Sequence, residues 1–156
     1  MLSIGSRIPL VELLDDGGKP IHLTDFAGIY IVLYVYPKDD TPGCTAEACS
    51  FRDQTAAIQN LGAVVLGISP DTPASHAKFK AKHHLGFTLL SDPDKAMIEA
   101  LGAWGEKTSN GITKTGVIRS TFLFDGEGML RQVWPKVSPN THGEEIAAFL
   151  KTWKES

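Results

Sequence analysis

The two cysteines of the chain, Cys44 and Cys49, are the residues with the clearest capacity for chemistry. They lie in the segment Pro37-Lys38-Asp39-Asp40-Thr41-Pro42-Gly43-Cys44-Thr45-Ala46-Glu47-Ala48-Cys49. A Pro/Gly loop leaves a strand here, and Cys44 opens the helix that follows. The first turn of a helix has unpaired N–H groups and the positive end of the helix dipole, so a thiolate is stabilised there and is nucleophilic near neutral pH. Thr41 can turn its hydroxyl toward the sulfur, and Pro42, without an N–H, can wall one side of a pocket. Position alone leaves a second reading open, in which Cys44 is a small buried hydrophobe at a helix start. Cys49 bears on that choice. Residues five apart on a regular helix differ by ~140° around the axis and ~7.5 Å along it, which separates their Cα atoms by about 8–9 Å. A disulfide needs roughly 4.4–6.8 Å. The sulfurs cannot bond across an intact helix but can meet if its first turns unwind, so helix and disulfide are mutually exclusive states of one segment. That suits a catalytic or sensing cycle; unrelated packing of Cys49 is the alternative.

The elements that must hold this segment are legible as alternating strands and helices. Leu10 to Leu23 reads as a hairpin turning at Asp15-Asp16-Gly17-Gly18. Ile29 to Tyr36, β-branched, aromatic and uncharged, predicts a strand buried on both faces. A helix follows from about Cys44 to Asn60, with Phe51, Thr55, Ile58 and Leu61 as its stripe, then a second buried strand from Ala63 to Ser69. Asp71 is expected to cap a helix running to about His84, with Pro73 in its first turn. Phe87 to Leu90 predicts a short strand, and Asp92-Pro93 the start of a helix closed by Gly102. Trp104 to Val117, rich in Gly, Thr and Ser, reads as a surface loop. Arg119 to Phe124 and Met129 to Trp134 form a hairpin, and a Thr141-x-x-Glu144 capping box opens a last helix with Ile146, Phe149, Leu150 and Trp153 on one face. The order predicts an α/β protein, a central mixed sheet flanked by helices, compatible with a thioredoxin-like fold carrying an N-terminal β-hairpin.

Arg119 and Glu47 belong to the same problem. Arg119 opens a mostly apolar strand, where a bare charge is expensive unless paired. A Cys44 thiolate and Glu47 could both partner it; the alternative is a strand-end residue reaching to water. Glu47 lies one turn after Cys44, and its carboxylate would oppose a thiolate unless Arg119 held it.

Composition narrows the function classes. At 156 residues, 42% apolar and 21% charged, the chain fits one globular domain. Fifteen basic against 18 acidic residues give −3, with no electrostatic footprint for nucleic acid or an anionic membrane. No apolar run approaches the ~20 residues of a membrane span, and charges interrupt the N-terminal segment before a secretory h-region forms. A cytoplasmic location is therefore the expectation, where a cysteine pair is more often catalytic, redox-active or metal-binding than structural. The histidines at 22, 76, 83, 84 and 142 are scattered, none with finger-like spacing to the cysteines, and the spacing of the pair is not the Cys-x-x-Cys of a disulfide reductase.

Pro37-x-x-x-Thr41-x-x-Cys44 resembles the universal active-site pattern of the peroxiredoxins, and Cys49 resembles the resolving cysteine of their bacterioferritin-comigratory (Q-type) subfamily. Val64 to Ser69, Leu90-Ser91-Asp92 and Arg119 to Phe124 extend the resemblance over nearly the whole chain. It implies a single thioredoxin-like peroxiredoxin domain over residues 1–156. By the same resemblance Cys44 is the peroxidatic and Cys49 the resolving cysteine, forming a redox disulfide. Thr41 and Arg119 position peroxide, and Pro37, Pro42, Gly43 and Glu47 line the pocket. The implied activity is a thiol-dependent peroxidase acting on hydrogen peroxide and organic hydroperoxides in antioxidant defence. It is recycled by thioredoxin or a similar dithiol, with no metal or organic cofactor, and is expected to be monomeric.

Overall fold

The uncharged run in the first quarter of the sequence becomes an interior strand of a sheet. In the computed structural model, which describes residues 1–155 and, for Ser109, Lys154 and Glu155, the backbone alone, the elements are β1 (Leu13–Leu14), β2 (Pro20–Ile21), a short 3₁₀ turn (Leu23–Phe26), β3 (Tyr30–Val35), α1 (Pro42–Asn60), β4 (Ala63–Ser69), α2 (Pro73–His83), β5 (Thr88–Ser91), α3 (Ala96–Ala100), β6 (Trp104–Ser109), β7 (Ile112–Val117), β8 (Ser120–Phe124), β9 (Leu130–Trp134) and α4 (His142–Glu155). Seven strands form one sheet in the order β2-β1-β5-β4-β3-β8-β9. β3, β4 and β5 run parallel, while β8, β9 and the N-terminal hairpin are antiparallel. This is the mixed sheet of a thioredoxin-like fold.

Alternation along β3 divides the core. Ile31, Leu33 and Val35 face a layer holding Met97, Ile98 and Leu101 around α3. Val32, Tyr34 and Tyr36 face the layer of α1, α2 and α4, through Phe51, Ile58, Phe79, Ile146 and Leu150. A strand buried on both faces has no polar side to show, which is why its sequence carries no charge. Tyr34 stacks on Phe51 with ring centroids 4.6 Å apart. No helix among the described residues is long and apolar enough to cross a membrane.

Several local expectations are corrected. Trp104 to Val117 is not a loop but the β6–β7 hairpin, a two-stranded sheet of its own. Its turn is Asn110-Gly111, with φ of 53° and 77°, the left-handed pair that a two-residue hairpin turn requires. Polarity on both faces hid the alternation. The cap of α2 is Thr72, whose hydroxyl accepts from Ser75 N, rather than Asp71. Asp71 turns inward and accepts from the Asp39 N–H. The helix expected from Asp92-Pro93 begins only at Ala96, after Lys95 in the left-handed region, and Asp92 reaches over the turn to accept from Ile98 N. At the start of α4 the hydrogen bonds differ from the predicted box: Gly143 N donates to Ser50 Oγ on α1, and His142 Nδ1 meets Glu145 Oε1.

That contact between α1 and α4 depends on Gly143 lacking a side chain. A Cβ there would lie 2.6 Å from the Phe51 nitrogen and closer still to the Ser50 carbonyl group, both backbone atoms that cannot swing aside. Gly143→Ala should therefore destabilise the protein by about 1–3 kcal/mol, although alanine is the better helix former by about 1 kcal/mol. A lowered denaturant midpoint checks it; an unchanged or raised midpoint contradicts the packing argument.

Candidate active site

The site forms where β3 ends. Because β3 and β4 are parallel, the chain must cross over between them, and α1 makes that crossover with its N-terminus at the carboxyl end of β3. Because β3 and β8 are antiparallel with Val35 opposite Ser120, the start of β8 lies beside the same end. Arg119, immediately before β8, thereby meets the first turn of α1. Thr41 is the N-cap, Pro42 and Gly43 follow, and Cys44 is the third helical residue.

Cys44 is 1% exposed, and Arg119 Nη2 donates to its sulfur at 3.2 Å. Arg119 Nη1 donates to Glu47 Oε1 at 2.6 Å. One guanidinium thus engages two groups one turn apart on α1. Gly43 lets it approach: a Cβ at that position would stand 3.2 Å from Arg119 Nη2. Burial would by itself weaken the arginine's hold on its proton, but Glu47 and Cys44 reverse this and raise its pKa above the ordinary value. The N–H groups of Gly43 and Cys44 belong to the unpaired first turn, so the sulfur lies at the positive end of a 19-residue helix.

The structure brings together Cys44, Glu47, Gly43 and Arg119. It places Thr41 differently from expectation: its hydroxyl donates to the Lys38 carbonyl at 3.1 Å instead of turning to the sulfur. Pro37 is half-buried where β3 ends, and Pro42 is exposed at the helix start. Cys49 is half-buried on the continuous helix, and both cysteines are free thiols. Sequence reasoning missed Asp39. It reads as a turn residue in a Pro/Gly loop, yet it is buried and hydrogen-bonded to Tyr36, Ser75 and His76. Asp39, Asp71 and His76 bring donor atoms within 4.8 Å of one another, the kind of trio that can hold a cation. Those atoms are already engaged by protein partners, including Ser69 on Asp71 and the Leu90 carbonyl at His76.

Comparisons with known proteins supply the family. The AhpC/TSA family pattern matches residues 4–133. The peroxiredoxin Bcp of Bacillus subtilis is 46% identical over 99% of this chain and 98% of its own length. That of Escherichia coli K12 is 40% identical over 96% of each. The chain belongs to the peroxiredoxins, in the bacterioferritin-comigratory (Q-type) group. Among solved structures, the Xanthomonas campestris bacterioferritin comigratory protein, studied for its alkyl peroxide reduction activity, matches with TM-score 0.86 at 38% identity over 92% of each chain. A Xylella fastidiosa peroxiredoxin Q variant matches with TM-score 0.90 at 32% identity over 98% of each. This peroxiredoxin is a thiol peroxidase, an oxidoreductase that uses cysteine to reduce hydroperoxides.

Glu47 gives the site a pH signature. Its carboxyl is pushed up to about 7, chiefly by burial, which the charge and hydrogen bond of Arg119 only partly offset. Its second oxygen is buried without a hydrogen-bond partner among the described residues. The folded state therefore holds this proton more tightly than the unfolded chain, where the ordinary value is 4.5. The resulting stability is complete at low pH and is lost as pH rises through about 7. Glu47→Gln keeps an acceptor for Arg119 but does not titrate, so it should remove up to about 3 kcal/mol of this dependence. Denaturant titrations at about pH 5 and about pH 8 decide it: the wild-type protein should lose more stability between them than the variant, and equal slopes would show that Glu47 is not the titrating group.

Proposed function

We propose that Cys44 is the peroxidatic and Cys49 the resolving cysteine of a thioredoxin-dependent peroxidase that reduces hydrogen peroxide and organic hydroperoxides. The observation that carries this reading is the Arg119 guanidinium on a sulfur buried at a helix start. The Cys44 thiolate attacks the terminal oxygen of the hydroperoxide. An S–O bond forms as the O–O bond breaks, the alcohol or water leaves with a proton, and the sulfur becomes a sulfenic acid. Arg119 and the first-turn N–H groups stabilise the charge that moves onto the peroxide oxygens. With its proton on the Lys38 carbonyl, the Thr41 hydroxyl has lone pairs free to accept the hydroperoxide O–H. Pro37, Pro42 and Gly43 shape the approach, and no metal or organic cofactor enters the cycle.

Resolution requires α1 to open. The Cys49 thiol then displaces hydroxide from the sulfenic sulfur, forming the Cys44–Cys49 disulfide and water. A dithiol partner such as thioredoxin returns both thiols by exchange. Both cysteines lie on one helix of one chain, so a monomer can complete the cycle, and residues 1–156 act as a single domain in the cytoplasm. Opening is bounded on the downstream side. Ser50 is bonded to Gly143, Phe51 is stacked on Tyr34, and Arg52 Nη1 donates to the His83 carbonyl at 3.0 Å.

Single-turnover and steady-state assays with hydroperoxide and thioredoxin test the assignment. Cys44→Ser should fall to the rate without enzyme. Cys49→Ser should consume one equivalent, stop at the sulfenic acid and fail to recycle. Arg119→Met should slow the peroxide step about 10- to 100-fold. Full activity in Cys44→Ser would remove the central assignment, and one equivalent consumed by the wild-type protein would make it a sensor instead. Oxidation should speed amide exchange across residues 44–49 while residues 52–60 stay protected; an intermolecular disulfide as the main product would contradict the monomeric cycle.

A further inference from the structure

The loop that delivers Cys44 is held at its upstream end by a buried cluster with no part in the chemistry above. Asp39, five residues before Cys44, is 8% exposed. Its Oδ1 accepts from Tyr36 Oη at 2.6 Å, and its Oδ2 faces Ser75 Oγ and His76 Nδ1, each at 2.8 Å. Its N–H donates to Asp71 Oδ2 at 2.9 Å. Tyr36 directly follows β3, Ser75 and His76 lie on α2, and Asp71 precedes that helix. The loop is thereby tied to the sheet and to α2 at one residue.

His76 is fully buried, and its second nitrogen, Nε2, lies 3.0 Å from the Leu90 carbonyl oxygen. A carbonyl oxygen only accepts. Asp39 Oδ2 also only accepts when the carboxyl is ionised. Burial alone would push the Asp39 carboxyl up, but the hydrogen bonds from His76, Tyr36 and Ser75 outweigh it and hold it below the ordinary range. With an acceptor at each nitrogen, the ring satisfies both contacts only by carrying both protons. The Asp71 carboxylate, within 4.8 Å, adds a second negative charge facing it.

We propose that His76, as an imidazolium paired with Asp39, is a positioning residue of the peroxidase site, clamping the upstream end of the segment that must unwind. This rests on the switch proposed above. The clamp acts on the balance between two states. Peroxide reacts with the folded site, so the peroxide step scales with the fraction folded around Cys44. Disulfide formation needs the open segment, so it scales the opposite way. Loosening the clamp should slow the first step and speed the second. The faster second step shortens the life of the sulfenic acid and spares it from a second oxidation, in which another hydroperoxide adds an oxygen to give the sulfinic acid and releases alcohol or water. The outer tie of the loop, Asp40 to Lys82 at 2.7 Å, is exposed and should matter little.

The test uses the full-length enzyme with His76→Phe, His76→Asn and, as a control, Lys82→Ala. Asparagine can still donate to Asp39 but carries no charge and cannot reach Leu90. His76→Phe should lower the single-turnover peroxide rate about tenfold and raise several-fold the hydrogen peroxide concentration that gives sulfinic acid in mass spectra. His76→Asn should fall between, and Lys82→Ala should match wild type. Nitrogen NMR of the wild-type protein at neutral pH should show both His76 ring nitrogens protonated. A singly protonated ring, unchanged rates in a folded His76 variant, or both steps slowing in parallel would each overturn the proposal. If His76→Phe does not fold, the asparagine variant and the NMR measurement still decide it. Failure of the wild-type protein to form a Cys44–Cys49 disulfide would instead count against the switch, leaving the peroxide-rate and NMR comparisons to judge the clamp.

Discussion

One guanidinium organises the site. Arg119 carries a charge that is mostly withdrawn from water, and a cation so placed needs anionic or strongly accepting partners. It finds them on the first turns of α1, with Cys44 on one nitrogen and Glu47 on another. In the proposed function the docking of the helix start and the activation of the sulfur are therefore the same interaction. The sheet makes it possible, since the antiparallel β3–β8 pairing brings residue 119 to the end of the strand from which the cysteine loop departs. Gly43 is the allowance the geometry demands, because any side chain there would crowd the same guanidinium nitrogen.

Under the proposed cycle a site built this way is under opposing demands: the peroxide step wants the segment held and the resolving step wants it released. The fold divides them along the chain. Before the segment, Asp39 is tied to Tyr36, just past β3, and to α2; after it, Ser50 and Phe51 are tied to α4 and β3. Between them, only Cys44, Glu47 and Ala48 are fully buried, and just two of those are apolar, a small holding for three turns of chain. The deep anchors of α1, Phe51 and Ile58, lie beyond Cys49. Opening the first turns therefore leaves the aromatic stack and the α1–α4 packing in place, which is the physical meaning of local rather than global unfolding.

Much of this was legible in the sequence because it rests on local signals. The charge-free run at Ile31 to Val35 marks a strand with no solvent face, and Pro42-Gly43-Cys44 marks a helix start with a thiol in its first turn. The Arg119–Glu47 pair could be anticipated from the expense of an unpaired charge. What was not legible depends on tertiary distance. Asp39 and His76 are 37 positions apart, and nothing local distinguishes Asp39 from an ordinary turn aspartate. The β6–β7 hairpin was missed for another reason. It buries almost nothing, so its strands lack the apolar alternation that identifies a half-buried sheet, and only Asn110-Gly111 betrayed its turn. Asp71 was misread because a capping aspartate and one turned inward toward a loop look alike in sequence.

The proposed cycle also changes the charge that faces Arg119, and this gives Glu47 a reason to be there. In the proposed reduced state a Cys44 thiolate and a fully ionised Glu47 would set two negative charges one turn apart on the same helix. A carboxyl pushed up to about 7 avoids this by sharing its charge with a proton. Once the sulfur becomes a sulfenic acid in the still-folded site, the thiolate charge is gone and Arg119 would be left a half-buried cation short of a partner. The same carboxyl, 2.6 Å away, can then ionise more fully, because the group that opposed its charge has been removed. In the proposed cycle Glu47 thus acts as a variable counter-charge, which lets a single arginine remain paired with both the thiolate and the sulfenic acid before α1 opens.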